Sequence, residues 1–114
     1  MEMVANFVGV DVASQWLDIC LSNGSVERID NSVAAITDWV ASMPQATAIA
    51  MEATGRYHTL LASIAFQNGH TVYVLNPRAV YYYAAGIGRR QKTDKTDAAV
   101  IQRYLCNEHD SLKP

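Results

Sequence analysis

Cysteine and proline are scarce in this 114-residue sequence, and no long hydrophobic run is present. Cys20 and Cys106 are too few and too far apart for a disulfide framework or a four-ligand zinc site. The apolar stretches fall well short of the roughly 20 residues that a membrane-spanning helix needs. The amino terminus also lacks the pattern of a signal peptide. These absences predict a protein of the reducing cytoplasm, with no membrane partner.

The net charge of −2 is small, but it is distributed unevenly along the chain. Positions 78 to 103 hold six basic residues against two acids, so this segment carries +4 and the remainder carries −6. The basic residues are Arg78, Arg89, Arg90, Lys92, Lys95 and Arg103. A basic segment around two acids suggests a polyanion brought to a metal site. A solvated helix face is the commonplace alternative.

Those two acids, Asp94 and Asp97, are the first candidate site residues. They are three positions apart, so both carboxylates project from one side of a helix predicted over residues 93–107. Ile101 and Leu105 continue that side, so the carboxylates should be carried toward the core, where a cation has to compensate them. The alternative is that Thr93 caps the helix and the two acids complement its dipole without any function.

Two further acids lie at the ends of predicted buried strands. They favour a metal site over a helix cap without function. Residues 4–12 form a valine-rich strand in which Asp11 shares a face with Phe7 and Gly9. Residues 46–51 form a short aliphatic strand that ends in Glu52. Each strand therefore delivers one carboxylate at its carboxyl end.

The order of elements predicts an α/β fold with a mixed five-stranded sheet. An antiparallel three-strand meander opens it, and helices flank the sheet. Strands are predicted at 4–12, 16–21, 25–29, 46–51 and 71–75, and helices at 33–43, 57–68, from Pro77 to the tyrosines at 81–83, and at 93–107. Residues 84–91 read as a basic loop, and residues 108–114 as an unstructured tail after a domain spanning 1–107. Right-handed crossovers place the strands of Asp11 and Glu52 parallel, so their acids should meet at one sheet edge.

Four converging carboxylates are unfavourable unless about two divalent cations neutralise them, which suits two-metal chemistry at a phosphodiester. One metal would activate water or a hydroxyl, and the other would stabilise the leaving oxygen. All-oxygen ligands favour Mg²⁺ or Mn²⁺ over zinc.

Four motifs resemble a known family. Residues 8–11 (VGVD), 51–57 (MEATGRY), 75–78 (LNPR) and 92–98 (KTDKTDA) resemble the amino-terminal domain of DEDD-type transposases of bacterial insertion sequences, a group that includes the Piv-like DNA invertases. The resemblance implies a RuvC-like, ribonuclease-H-type fold. It also implies a catalytic and metal-binding tetrad of Asp11, Glu52, Asp94 and Asp97.

The resemblance further implies DNA transposition and recombination. Such proteins excise, insert or invert DNA as multimers, some of them with a structured guide RNA. Full-length members add a helical linker and a second domain with a nucleophilic serine. The chain is therefore expected to be a truncated or excised catalytic domain, with 108–114 as a tail or the start of the linker. The residues expected to contact DNA phosphates are Arg78, Arg89, Arg90, Lys92 and Lys95.

Two other functions remain open from the sequence. A non-catalytic nucleic-acid-binding or assembly module of the same fold would keep the basic residues without using the acids. A lobe of an actin-like or sugar-kinase-like protein would share the first strand, but it needs a second lobe and glycine-rich phosphate loops, neither of which is evident.

Overall fold

The computed structural model describes residues 6–86 and 98–114. Within them, alternating aliphatic residues form five strands, and apolar residues at helical spacing form four α-helices. The strands are β1 (Phe7–Val12), β2 (Trp16–Cys20), β3 (Val26–Asp30), β4 (Ala48–Glu52) and β5 (Thr71–Leu75). The helices are α1 (Val33–Ser42), α2 (Thr59–Gln67), α3 (Pro77–Gly86) and α4 (Ala98–Glu108).

The strands form one mixed sheet in the order β3-β2-β1-β4-β5. β1, β2 and β3 pair antiparallel as a meander, whereas β1, β4 and β5 are parallel. The predicted fold class is confirmed, including the parallel pairing of the strands that carry Asp11 and Glu52. This pairing makes both carboxyl ends face the same edge of the sheet.

Each face of the sheet is covered by helices. On one face, α1 and α2 bury aliphatic side chains of β1, β2 and β4, with Trp39 of α1 and Leu61 of α2 at the centre. On the other face, α4 packs chiefly over β1, and side chains of α3 and α4 form a second core with residues of β4 and β5. Val80, Ile101 and Leu105 are fully buried in it. Burial of apolar surface on both faces is the main stabilising contribution to this architecture.

Local signals in the sequence set several element ends. Ser32 caps α1, because its Oγ accepts a hydrogen bond of 3.2 Å from the backbone N–H of Ala35. Gly69 follows α2 with a φ of 85°, a left-handed conformation that favours glycine at this position. Asn76 precedes the proline that opens α3, and its Oδ1 accepts a bond of 2.8 Å from the N–H of Arg78.

Helix α3 is longer than predicted, since it continues past the tyrosines to Gly86. Val80 and Ala84, one turn apart, are both buried, so the apolar stripe carries the helix on. Tyr81 and Tyr82 are exposed, since consecutive residues of a helix cannot all share its buried face. Tyr83 instead packs on the ring of Tyr104, with 4.9 Å between centroids.

The residues that follow α4, expected to be an unstructured tail or the start of a linker, are partly ordered. A 3₁₀ helix covers His109–Ser111. The imidazole of His109 lies 4.7 Å from the ring of Phe7, and Leu112 packs against the core under α4. His109 and Leu112 lie in a polar stretch and form no hydrophobic periodicity. The order of this segment is therefore evident only from its tertiary contacts. Within residues 6–86 and 98–114, no helix is long and apolar enough to span a bilayer.

Candidate metal site at the carboxyl edge of the sheet

Asp11 and Glu52 are brought together by the parallel pairing of β1 and β4. The register aligns Phe7 with Ala48 and runs on to Val10 with Met51, so its next step sets Asp11 beside Glu52. Strand alternation puts both side chains on the face that α4 covers. Both residues are half-buried. When two neighbouring carboxylates are both ionised and partly desolvated, their charges repel each other. The ionised forms are therefore unfavourable unless positive charge lies near them.

Helix α4 is fitted against β1 at Gly9, two residues before Asp11. A Cβ at Gly9 would lie 2.6 Å from both the carbonyl oxygen of Ala98 and the Cα of Gln102, so only glycine permits this approach. Gln102 Nε2 donates to the Phe7 carbonyl at 3.2 Å, and the chain after α4 reaches the ring of Phe7. The helix therefore runs antiparallel to β1, with its first residue toward the Asp11 end of the strand.

The other predicted acids, Asp94 and Asp97, lie outside the described residues. The same holds for four of the predicted phosphate-contacting residues, Arg89, Arg90, Lys92 and Lys95. Among residues 6–86 and 98–114, no group of three or more His, Cys, Asp or Glu side chains is placed to hold a metal ion. The described structure thus supplies two members of the predicted tetrad.

The remaining predicted basic residue, Arg78, follows the carboxyl end of β5. Leu75, the last residue of β5, pairs with Glu52, and Arg78 comes in the first turn of α3 with its side chain exposed. Arg78 therefore stands at the same edge of the sheet as the two carboxylates. An exposed guanidinium at this edge can reach a phosphate group.

The loops that follow β1 and β4 are tied together beside the acids. Asn31 Nδ2 donates to the carbonyl oxygen of Ala13 at 2.9 Å and to that of Tyr57 at 3.1 Å. An open cleft of about 200 Å³ lies there, lined by Ser14, Asn31, Arg56, Tyr57 and Leu60. The shared contact restrains the two loops that continue from the acid-bearing strands.

Asp18 and Arg28 extend the row of charges across the sheet, and the sequence interpretation missed both. Asp18 pairs directly with Asp11, and Arg28 pairs directly with Asp18. Arg28 donates from Nε to Asp18 Oδ1 at 2.7 Å and from Nη2 to Oδ2 at 3.1 Å. Its guanidinium carbon also lies 4.4 Å from the ring centroid of Trp16. The signal was available, because Asp18 is the polar position between the buried Leu17 and Ile19 of a hairpin-linked strand.

The guanidinium of Arg28 is coupled electrostatically to both aspartates. Hydrogen bonding of the Arg28 guanidinium to the carboxylate of Asp18 is the main cause that raises the pKa of Arg28 above its ordinary value. Desolvation acts in the opposite direction, and the negative charges of Asp18 and Asp11 add to the increase. The positive charge of Arg28 therefore also interacts with the negative charge of Asp11, two strands away.

Comparison with known proteins shows which family has a sequence similar to this chain. Residues 8–114 match the family model of the IS110-type DEDD transposase. The pilin gene-inverting proteins of Moraxella lacunata and Moraxella bovis are each 30% identical over 119 residues, which cover 96% of this chain and 37% of the relative. The chain therefore spans little more than a third of the length of these curated relatives.

A solved structure supports the fold independently. RuvC of T. thermophilus, in complex with Holliday junction substrate, aligns with a TM-score of 0.63 and 17% identity, covering 95% of this chain and 96% of that chain. At this identity the similarity establishes a RuvC-like, ribonuclease-H-type fold. Because the family model covers almost the whole sequence and both inverting proteins reach 30% identity, the chain belongs to the IS110-type DEDD transposase family.

Proposed function

We propose that this chain is the catalytic domain of a DNA recombinase that cleaves and transfers DNA strands with divalent metal ions. The observation that carries the proposal is the parallel pairing of β1 with β4 up to Val10 and Met51, the residues directly before Asp11 and Glu52, with α4 beginning toward the same edge. Membership of a transposase family with a RuvC-like fold supports DNA as the substrate.

The carboxylates Asp11, Glu52, Asp94 and Asp97 would hold the metal in this proposal. Asp97 directly precedes Ala98, the first residue of α4, which packs against Gly9 two positions before Asp11. Carboxylate oxygens suit Mg²⁺ or Mn²⁺, and the positive charge of such an ion would offset the repulsion between the half-buried Asp11 and Glu52. When bound, the metal would activate the attacking hydroxyl and stabilise the leaving oxygen of the scissile phosphodiester.

The basic residues would hold the DNA backbone over these acids. Arg78 follows the carboxyl end of β5, whose last residue Leu75 pairs with Glu52. The sequence adds Arg89, Arg90, Lys92 and Lys95 before α4. Such contacts position DNA without reading its sequence. For the whole protein, which extends well beyond this region in its relatives, we propose a multimer that exchanges strands, with a guide RNA as a candidate partner in choosing the target.

Removal of one acid tests the metal site directly. Asp11→Ala should lower Mn²⁺ affinity at least tenfold and abolish Mn²⁺-dependent cleavage of branched or supercoiled DNA, because it deletes a charged ligand. Calorimetry measures the affinity, and gel electrophoresis measures the cleavage. Asp38→Ala is the matched control, since Asp38 is an exposed acid on α1, which packs on the opposite face of the sheet.

The non-catalytic alternative makes a different prediction for the same variants. A nucleic-acid-binding or assembly module would keep its DNA affinity with alanine at all four acids and would show no dependence on metal. Unchanged Mn²⁺ affinity in Asp11→Ala, together with retained DNA binding, would favour that module over the recombinase domain.

A further inference from the structure

Four charged residues lie in one row across the sheet, on the face that α4 covers. Cross-strand pairing runs from Arg28 of β3 to Asp18 of β2 and on to Asp11 of β1, and the register of β1 and β4 continues the row to Glu52. Neighbouring strands are about 5 Å apart, so each charge acts strongly on the next. The row therefore has a cation at one end and three carboxylates beyond it.

The Asp11–Asp18 pairing is unfavourable in itself, because like charges directly opposite each other destabilise an antiparallel pair. Arg28 compensates Asp18 through two parallel hydrogen bonds, and Trp16 holds the guanidinium from one side. The Arg28 side chain is 57% exposed, and an ion pair so exposed adds little to the stability of a fold. The feature of this ion pair that matters for the site is its location, because Asp18 lies directly opposite Asp11.

We propose that Asp18 and Arg28 are positioning residues that set the electrostatic potential at Asp11 and thereby its affinity for a divalent cation. This inference rests on the proposed function, since it takes Asp11 as a metal ligand. Asp18 adds negative charge one strand away and attracts the cation. Arg28 opposes part of that attraction, because it lies one strand farther from Asp11 than Asp18 does.

Opposite effects of the two partners distinguish this role from a structural one. One unit of charge placed one or two strand spacings from a divalent ion changes its affinity roughly three- to tenfold at low ionic strength. Arg28→Gln should therefore tighten Mn²⁺ binding by a factor toward the lower end of that range. Asp18→Asn should weaken it by a factor toward the upper end, because Asp18 lies one strand nearer to Asp11. The double variant should have an affinity between those of the two single variants.

The measurement is a Mn²⁺ titration of each variant by calorimetry at low ionic strength, repeated at about 0.5 M salt, where screening should reduce all the differences. Glu27→Gln is the matched control, because Glu27 is an exposed charged residue of β3 whose side chain alternates to the face opposite Arg28. Its Mn²⁺ affinity should be unchanged. Urea denaturation of each variant confirms that the fold is retained.

Two results would overturn the inference, and they differ in what else they overturn. Effects of Asp18→Asn and Arg28→Gln in the same direction, or no effect of either, with Mn²⁺ binding abolished in Asp11→Ala, would retain the metal site and leave the pair with a structural role only. Unchanged Mn²⁺ affinity in Asp11→Ala would overturn the proposed function together with this inference.

Discussion

Gly9 sets how closely a helix approaches the strand that carries Asp11. At this position a Cβ would meet backbone atoms of α4, which cannot rotate aside as a flexible side chain would. The neighbouring strand contributes Ala50, another small residue, to the same core. A small-residue patch on one face of the sheet thus brings α4 close to the acid-bearing edge.

Gly9→Ala should therefore lower the free energy of unfolding by about 3 kcal/mol, because the clash is with backbone and the helix has to move. The displaced helix should also weaken Mn²⁺ binding. Urea denaturation and Mn²⁺ titration measure the two effects.

Gly86→Ala is the control for that substitution. Gly86 ends α3 with open space around its Cβ position, so alanine there should be neutral or stabilise the protein by up to about 1 kcal/mol. Equal stabilities of the two variants would contradict the close approach of α4 to β1.

At the scale of elements, α1 shows how local sequence alone sets a helix. Asn31-Ser32 begins it, Ile36, Trp39 and Val40 form its buried stripe, and Pro44 follows its end. Helix α3 shows the opposite case, because its extension to Gly86 depends on Ala84 finding a partner in the core under α4. Local signals were sufficient for the first helix and insufficient for the second.

Ser32→Ala should lower the free energy of unfolding by about 1 kcal/mol, since it leaves an N–H at the start of α1 without its side-chain acceptor. Ser63→Ala provides the comparison, because Ser63 is exposed within α2 and alanine has the higher helix propensity. Urea denaturation should therefore show a loss for the first variant and no loss for the second. A loss of the same size in both would mean that the cap adds no stability.

At the scale of the whole molecule, charge is separated along the chain. Positions 78 to 103 carry +4 while the rest carries −6, which favours contact with a polyanion along one segment. The proposed DNA contacts follow from this distribution, and such contacts release counterions when they form.

The double variant Arg89→Ala with Arg90→Ala should weaken DNA binding and reduce the slope of log affinity against log salt by about 2. Fluorescence anisotropy with labelled duplex DNA in EDTA measures this without any metal chemistry. Lys113→Ala is the control, because Lys113 is an exposed cation outside the basic segment. A salt slope that stays the same in the double variant would remove these two arginines from the proposed interface.

Much of this protein follows from its sequence by itself. The bounds of β5, the cap of α1 and the strand positions of Asp11 and Glu52 come from local patterns that each segment carries alone. The order of these elements and the right-handedness of crossovers predict the mixed sheet. Only the tertiary structure shows three contacts: Asp18 pairs with Asp11, α4 packs closely against Gly9, and Leu112 packs against the core after α4. Such contacts depend on strand register and on packing between segments far apart in the chain, and the residues within any one segment do not specify their distant partners.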